Sequence, residues 1–580
     1  MSHFKRLFAA VLLALPGCSK APERIAERLA ILPFENLTGD AKYDWIGPAS
    51  QTMVSSQLVS APKAFAFAAG SRQEAARRRA TRNVAAYLTS AGGKLALAIS
   101  VEDAQKVTLI SSFTASAPIA AGLLTLLDAA SHGIDPAARP YSTASETALR
   151  KLAEGDPASA IQADPAFAQA LVANAIESRN RGDRDGALTA IRLARALGAN
   201  LPPFEAAQLN VVEQSIAGSP QSRADALAGL ARFTPNDPDV HKQLAEIAAQ
   251  ARDFKAAASR YQAAAALEPD ALEFRNWLGY AQAMAGDLPA GVASMSEYAK
   301  RSPGDPNPLD SLGEIYFYSG KFAEAENAFL GAHAKYAGFV NGLTLFKAAQ
   351  SRLLLGDVKA ADDLFAKYAD LSIQANDPAM PVRQAIWDWM AGRRKAAFER
   401  LEKMAREGQP PIAAAARSQL AVMYLAAGRR DDARKLAGSM TPVSQFLVQP
   451  SAAADVWRQR VAAVTGPDQL KTELLAYSLL LDGHPAEALP LLDARLRQAN
   501  PFATDSAEEL LAWALVSAGK YKEAEPFVSH WPLPAAQTDS SLLCLTFPRM
   551  VETRAKALQQ AGKQAEAAKL MELYKRLSAD

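Results

Sequence analysis

Few residues in this chain could do chemistry. There are two cysteines, Cys18 and Cys544, and six histidines. Beyond residue 17 the histidines are His132, His241, His333, His484 and His530. No two stand at metal-ligand spacing and there is no H-E-x-x-H helix, so no metal is expected. A G-x-S-x-G elbow and a G-x-x-x-x-G-K-[ST] loop are also absent from the sequence. Ala91-Gly92-Gly93-Lys94 has a trace of a phosphate loop but reads as a hairpin turn. Asp362-Asp363 and Asp431-Asp432 read as helix starts, where carboxylates complement the dipole. Cys544 lies in the apolar run Leu542-Leu543-Cys544-Leu545 and reads as a small buried hydrophobe. No catalytic residue and no cofactor is expected, and an enzyme, such as an envelope hydrolase, is the poorest of three readings.

Cys18 is the exception. Lys5 and Arg6 form a short positive region, and the apolar run Leu7 to Leu15 follows. That run is too short to span a bilayer, which needs about 20 apolar residues, but suits a signal peptide. It ends in Leu15-Pro16-Gly17-Cys18, which resembles a bacterial lipobox, with Pro16 a mild departure. The resemblance implies cleavage before Cys18 and lipidation of its sulfur. Acyl chains bury about 0.8 kcal/mol per methylene, so several together hold a soluble body to a membrane. Ser19, not Asp, follows Cys18, and the resemblance then implies the outer rather than the inner membrane. With Cys18 lipidated, no disulfide can form. Removing residues 1–17, which carry Lys5, Arg6 and no acid, brings the formal charge of +2 to zero. That leaves no electrostatic reason to expect nucleic acid as a partner. One local basic run, Arg72, Arg77, Arg78, Arg79 and Arg82, reads as a solvated helix face, with an anionic-ligand patch as the alternative.

The chain is too long for one compact core, so several domains or a solenoid are expected. Residues 29–34 read as a buried strand ended by Pro33, followed by loop residues. A helix over about 47–60, a strand near 64–68 and a polar helix through the arginine run follow. Strands at 94–101 and 106–113 should pair around Glu102-Asp103, ahead of an apolar helix near 118–131. The string Ala30-Ile31-Leu32-Pro33-Phe34-Glu35-Asn36-Leu37-Thr38-Gly39-Asp40 resembles the start of the TolB N-terminal-like α/β domain. The resemblance covers about residues 27–135 and implies a small mixed-sheet domain that contacts other macromolecules of the cell envelope.

Beyond it lies a repeat. Leu244, Leu278 and Leu312 are spaced evenly by 34 residues, as are Pro235, Pro269 and Pro303. Further on, Gly320, Gly356, Gly392 and Gly428 recur every 36 residues, each followed five residues later by Ala. The same pair appears at Gly182/Ala187, Gly483/Ala488, Gly519/Ala524 and Gly562/Ala567. Gly ends the first helix of a hairpin in a left-handed cap, and Ala lets the second helix approach closely. With Leu278-Gly279, Leu312-Gly313, Tyr316, Ala325 and Phe329, the pattern resembles the tetratricopeptide repeat. The fold class expected is therefore mostly α: a solenoid of tetratricopeptide-type helical hairpins, about ten to eleven of them, preceded by a small α/β domain. The division is 1–17 signal peptide, 18–26 tether, 27–135 α/β domain, 136–164 linker and 165–580 solenoid. The rhythm breaks at 437–470 and 531–547, where longer connectors or an extra helix are expected.

First helices build the concave face of such a solenoid. In the register of Leu278 and Leu312 that face carries Lys242, Glu246, Asn276, Tyr280, Asp310, Glu314, Phe317 and Tyr318, with Phe346 and Gln350 following. Mixed aromatic and polar surface suits a protein or peptide partner. The pattern lacks the Lys/Asn/Arg clamp of chaperone-binding tetratricopeptide domains, because Glu246 and Trp277 stand where Asn is needed. The function expected is a lipid-anchored cell-envelope scaffold that holds a protein or peptide partner and faces the periplasm. The alternative is a sensory or regulatory module acting through a separate signalling partner.

Overall fold

The computed structural model describes residues 27–59, 64–436, 468–535 and 542–579. Cys18, the signal peptide and the tether lie outside them. The chain forms two compact units: residues up to Ala217 with Gly229–Asp237, and Gly218–Ala228 with Pro238–Asp580.

The first unit opens with six strands: β1 (Glu27–Ile31), β2 (Glu35–Asn36), β3 (Ala64–Ala68), β4 (Arg82–Ala91), β5 (Lys94–Asp103) and β6 (Thr108–Pro118). The sheet order is β3-β1-β4-β5-β6, and β2 pairs with β4. β1 runs parallel to both β3 and β4, while β4, β5 and β6 form an antiparallel meander. Alternation along β1 sends Leu29 and Ile31 to one face and Ala30 and Leu32 to the other. The first face carries the main core, covered by α1 (Ile46–Gln57) and α3 (Gly122–Ile134). The short α2 (Arg72–Arg77) lies between β3 and β4.

The residues expected to turn at Ala91-Gly92-Gly93-Lys94 do so. Gly92 and Gly93 both have positive φ (56° and 75°), as a tight hairpin requires. β4, which that turn connects to β5, is an element the periodicity does not predict. In the arginine run, Arg72 and Arg82 pair with Glu102 and Glu27, and the Arg78 guanidinium lies 4.2 Å from the Phe67 ring centroid. Residues 136–164, expected as a linker, hold α4 (Glu146–Ala153) and α5 (Pro157–Ala163), with Ala148 and Leu149 fully buried.

Helices follow in sequence: α6 (Ala168–Asn180), α7 (Arg184–Arg195), α8 (Pro203–Ala217) and α9 (Pro220–Ala231). The second unit then stacks hairpins. They are α10 (Pro238–Gln250) with α11 (Phe254–Leu267), α12 (Leu272–Met284) with α13 (Leu288–Arg301), and α14 (Asn307–Tyr318) with α15 (Phe322–Lys335). Next come α16 (Leu343–Leu354) with α17 (Val358–Gln374), α18 (Met380–Met390) with α19 (Arg394–Glu407), and α20 (Pro410–Ala426) with α21 (Arg430–Leu436). After residues 437–467 come α22 (Asp468–Leu481) with α23 (Pro485–Leu496), α24 (Ser506–Ser517) with α25 (Tyr521–Val528), and α26 (Leu542–Gln560) with α27 (Gln564–Leu577). The protein is mostly helical, a solenoid of tetratricopeptide-type hairpins with a small sheet domain before it.

The punctuation works as the spacing predicts. The alanines after these glycines are buried, and Ala325, Ala361, Ala397 and Ala433 fully so. The glycine that ends a first helix takes positive φ, and Gly320 at 72° is one example. At the turn after α10 this place belongs to Arg252, whose φ is 60°. A non-glycine residue in that region carries a steric penalty. Asp362-Asp363 does not start a helix: Asp357 caps α17, and Asp362 sits a turn further in, bonded to Arg393. Asp431 and Asp432 do lie in the first turn of α21. Cys544 is buried in α26. Of the two breaks in rhythm, 437–470 lies outside the described residues up to 467 and then opens α22; of 531–547, residues 531–535 carry no helix, 536–541 lie outside the described residues, and 542–547 open α26.

Candidate binding face of the second unit

The expected concave-face residues come from α10, α12 and α14, and the structure separates them into three groups. Lys242 and Glu246 on α10 are open to solvent, 40% and 53% exposed at the side chain, with charged atoms 3.9 Å apart. Asn276 on α12 is half-buried, and its Oδ1 is sequestered without a hydrogen-bond partner. Tyr280, Asp310, Glu314 and Tyr318 share one face, but that face is covered.

Phe317 departs from the expected placement. Neighbouring positions on a helix point about 100° apart, and here Phe317 and Tyr318 enter different buried clusters. Tyr318 is buried with Tyr280 and Ile315. Phe317 turns into the core, where its ring meets that of Phe322 edge-on at 5.2 Å.

Lys347 on α16 organises the covered group. Its ammonium donates to Asp310 Oδ2 at 2.8 Å and to Glu314 Oε1 at 2.5 Å. Tyr280 donates its hydroxyl to Glu314 Oε2 at 2.5 Å. Burial works against the Lys347 ammonium, but the two carboxylates outweigh it and hold its pKa above the ordinary lysine value. Burial raises Asp310, and raises Tyr280 well above the phenol range, so Tyr280 stays a donor. Asp310 Oδ1 has no hydrogen-bond partner. A buried pair of this kind tolerates loss of one partner poorly, because the remaining charge is stranded. Sequence reasoning missed Lys347; its one signal is a lysine set in the apolar stretch Leu343-Thr344-Leu345-Phe346-Lys347-Ala348-Ala349.

Over this cluster lies chain from far downstream. The ring of Phe502, in the turn between α23 and α24, sits 5.6 Å from Trp277, 5.9 Å from Tyr280, and 6.2 Å from both Phe254 and Tyr261. The segment His530-Trp531-Pro532-Leu533-Pro534-Ala535 follows α25. The His530 imidazole stacks on Tyr318 with centroids 4.1 Å apart and planes at 17°. Trp531 donates its backbone N–H to Tyr318 O at 2.9 Å, and its ring meets Phe322 edge-on at 5.2 Å. Leu533 is buried with Tyr280, Ile315 and Tyr318. Thr504 donates its hydroxyl to Pro534 O at 2.7 Å.

Gln350 ends the row. Its amide nitrogen donates to Ala535 O at 3.0 Å, and its amide oxygen accepts from Ala535 N at 2.9 Å. The side chain thus satisfies both backbone groups of one extended residue. Arg554 holds the other end: Nε donates to His530 O at 2.8 Å, Nη1 to Glu509 Oε2 at 2.8 Å, and the guanidinium lies 4.8 Å from the Trp531 centroid. What this arrangement can do is bind backbone and rings. Among the described residues, no group of three or more His, Cys, Asp or Glu could hold a metal ion. No helix among them is long and apolar enough to cross a membrane.

No protein-family model matches the chain, and no curated protein matches it. Solved structures with similar helices include the crystal structure of MamA protein, at 14% identity, covering 30% of this chain and 95% of that one with a TM-score of 0.27. A structure of Naa15/Naa10 bound to HypK-THB matches at 13% identity over 71% of this chain and 63% of that one, also at 0.27. The human IFIT1 dimer with PPP-AAAA matches at 14% identity over 60% and 89%, again at 0.27. Superpositions this loose carry no argument about partners, and the repeat assignment rests on the hairpins of this chain.

Proposed function

We propose that this protein is a lipid-anchored scaffold of the cell envelope, which holds a protein or peptide partner on the concave face of its solenoid. One observation carries the binding part. The face presents a side-chain amide, Gln350, that pairs with both backbone groups of an extended chain, beside Tyr318, which receives a ring. Side-chain-to-backbone pairing of this sort recognises a peptide by its main chain, and flanking rings add selectivity. The anchor part rests on Leu15-Pro16-Gly17-Cys18 and the segment before it. The outer membrane and the periplasm follow from the same residues, and no nucleic acid is proposed because the charge is balanced. The open end of the face, at Lys242 and Glu246, is where an approaching partner would first meet it.

A photocrosslinking residue at Glu246 in living cells tests the binding part. A specific crosslinked protein supports the scaffold; its absence at Glu246 and at Lys242 counts against it. Cys18→Ala should release the protein from the membrane fraction and leave an unprocessed precursor. A variant that stays processed and membrane-bound would remove the anchor from the proposal.

A further inference from the structure

The hairpins of the second unit are joined internally by three-residue turns, such as 319–321 and 355–357. The connection after α25 is longer, and its first part does something the short turns do not. It lies against the first helices of three hairpins, α12, α14 and α16. Leu533 is buried in one cluster with Tyr280 of α12 and with Ile315 and Tyr318 of α14, Tyr318 also receives the His530 ring and the Trp531 amide, and Gln350 of α16 pairs with Ala535. Tyr318 and Gln350 therefore hold the two ends of one stretch of chain, and the Tyr280 cluster takes its middle. Pro532 and Pro534 have no N–H to bury, and the amides of Trp531 and Ala535 are both bonded. A cleft bordered by Tyr318, Pro532 and Leu533 together with Arg252, Asn500 and Glu508 has a volume of about 20 Å³, room for about one water molecule.

We infer that His530–Ala535 is a resident ligand of this face, and that the face takes an extended peptide of the same chemistry: an aromatic ring, prolines on both sides of an apolar residue, then a free backbone N–H and C=O pair. The inference rests on the peptide-binding reading above and names the kind of peptide. The resident segment is tethered, so it competes at an effective concentration on the order of millimolar. A partner peptide must displace it, and the bare face binds such a peptide more tightly than the covered one.

The test uses the full chain and a fluorescent peptide of residues Ser529–Ala535, followed by anisotropy. The double variant His530→Ala, Trp531→Ala should bind the peptide at least tenfold more tightly than the unaltered protein. Adding Gln350→Ala should remove at least tenfold of that gain. Because the double variant could fail to fold, hydrogen exchange on the unaltered protein gives a second reading. With millimolar unlabelled peptide, fragments holding the Trp531 and Ala535 amides should exchange faster. No binding to a folded double variant, or unchanged exchange in the unaltered protein, would show the segment to be a fixed part of the core and overturn the inference. Crosslinking from Glu246 reads the scaffold separately: a captured partner with no peptide binding sinks only the resident ligand, and peptide binding with no captured partner upholds the ligand and sinks the scaffold.

Discussion

Gln350 and Ala535, 185 residues apart in the chain, satisfy each other completely: one side-chain amide closes two hydrogen bonds with one backbone unit. Both residues are buried, Gln350 at 1% and Ala535 at 0% exposure. Gln350→Ala would strand a buried N–H and a buried C=O, each costing about 1–3 kcal/mol when left unmade. The variant should therefore unfold at lower denaturant concentration with an unchanged slope, since the area exposed on unfolding is the same. Gln350→Glu keeps the acceptor but loses the donor and buries a carboxylate, so it should be no better. If Gln350→Ala proved as stable as the unaltered protein, the two bonds would not hold the segment in solution.

Lys347 makes the next prediction. It is 4% exposed and faces two carboxylates. Lys347→Met leaves Asp310 and Glu314 without their cation and should cost about 3–5 kcal/mol. Neutralising all three, Lys347→Met with Asp310→Asn and Glu314→Gln, should recover most of that loss. The sign of the pH effect follows from the raised pKa. Stability from Lys347 is full below the free-lysine value of 10.5 and is lost as pH rises through the higher folded value. Tyr280, also raised, acts in the same direction above 10. Thermal melts between pH 9 and 11.5 should fall steeply for the unaltered protein and less so for the triple variant.

The hairpins are legible in the sequence because a left-handed cap and a close helix approach each demand one residue type, and those types recur at fixed spacing. β4 is not legible, because its buried side chains include Ala85, Ala86 and the polar Asn83, which blur the alternation. The register of Leu278 and Leu312 groups Tyr280, Asp310, Glu314 and Tyr318, and the structure has all four covered rather than open. It fails at Phe317, since adjacent aromatic residues cannot be assigned to faces by type alone. What covers the face leaves no periodic trace. Phe502 and His530–Ala535 reach it only through the coiling of the whole unit, and the one hint is that a proline-rich string stands where the repeat spacing lapses.

His530 ties this covering to pH. Burial lowers its pKa below the free value of 6.5, against the attraction of Glu508, whose Oε1 lies 3.4 Å from Nε2. Arg554 and Arg252 also face it and oppose protonation. A histidine held neutral in the folded state loses stability on acidification: the unfolded chain takes up the proton first, so stability drops as pH falls through 6.5 and keeps dropping until the folded value is reached. The slope is at most about 1.4 kcal/mol per pH unit. Melting temperature should fall between pH 7.5 and 5.5, and His530→Phe, which keeps a ring on Tyr318, should flatten that dependence. An equal fall in both proteins would place the effect elsewhere.

Arg252 sets backbone strain against a side-chain clamp. Its φ of 60° is one that glycine takes at the equivalent turns, and the mismatch costs about 1 kcal/mol. Against that, its guanidinium makes two bonds to Glu508, at 3.0 and 2.9 Å, and lies over the rings of Phe254 and Phe527. The pair is about three-quarters buried, at 24% and 18% side-chain exposure, so it contributes more than the ~0–1 kcal/mol of an exposed ion pair. Bidentate geometry and ring contact together should exceed the strain. Arg252→Gly is therefore expected to destabilise the protein by about 1 kcal/mol despite relaxing the turn, and Arg252→Ala by more, because alanine keeps the strain and loses the clamp. Denaturant unfolding of the two variants separates the terms. A glycine variant more stable than the unaltered protein would mean that the strain outweighs everything Arg252 holds.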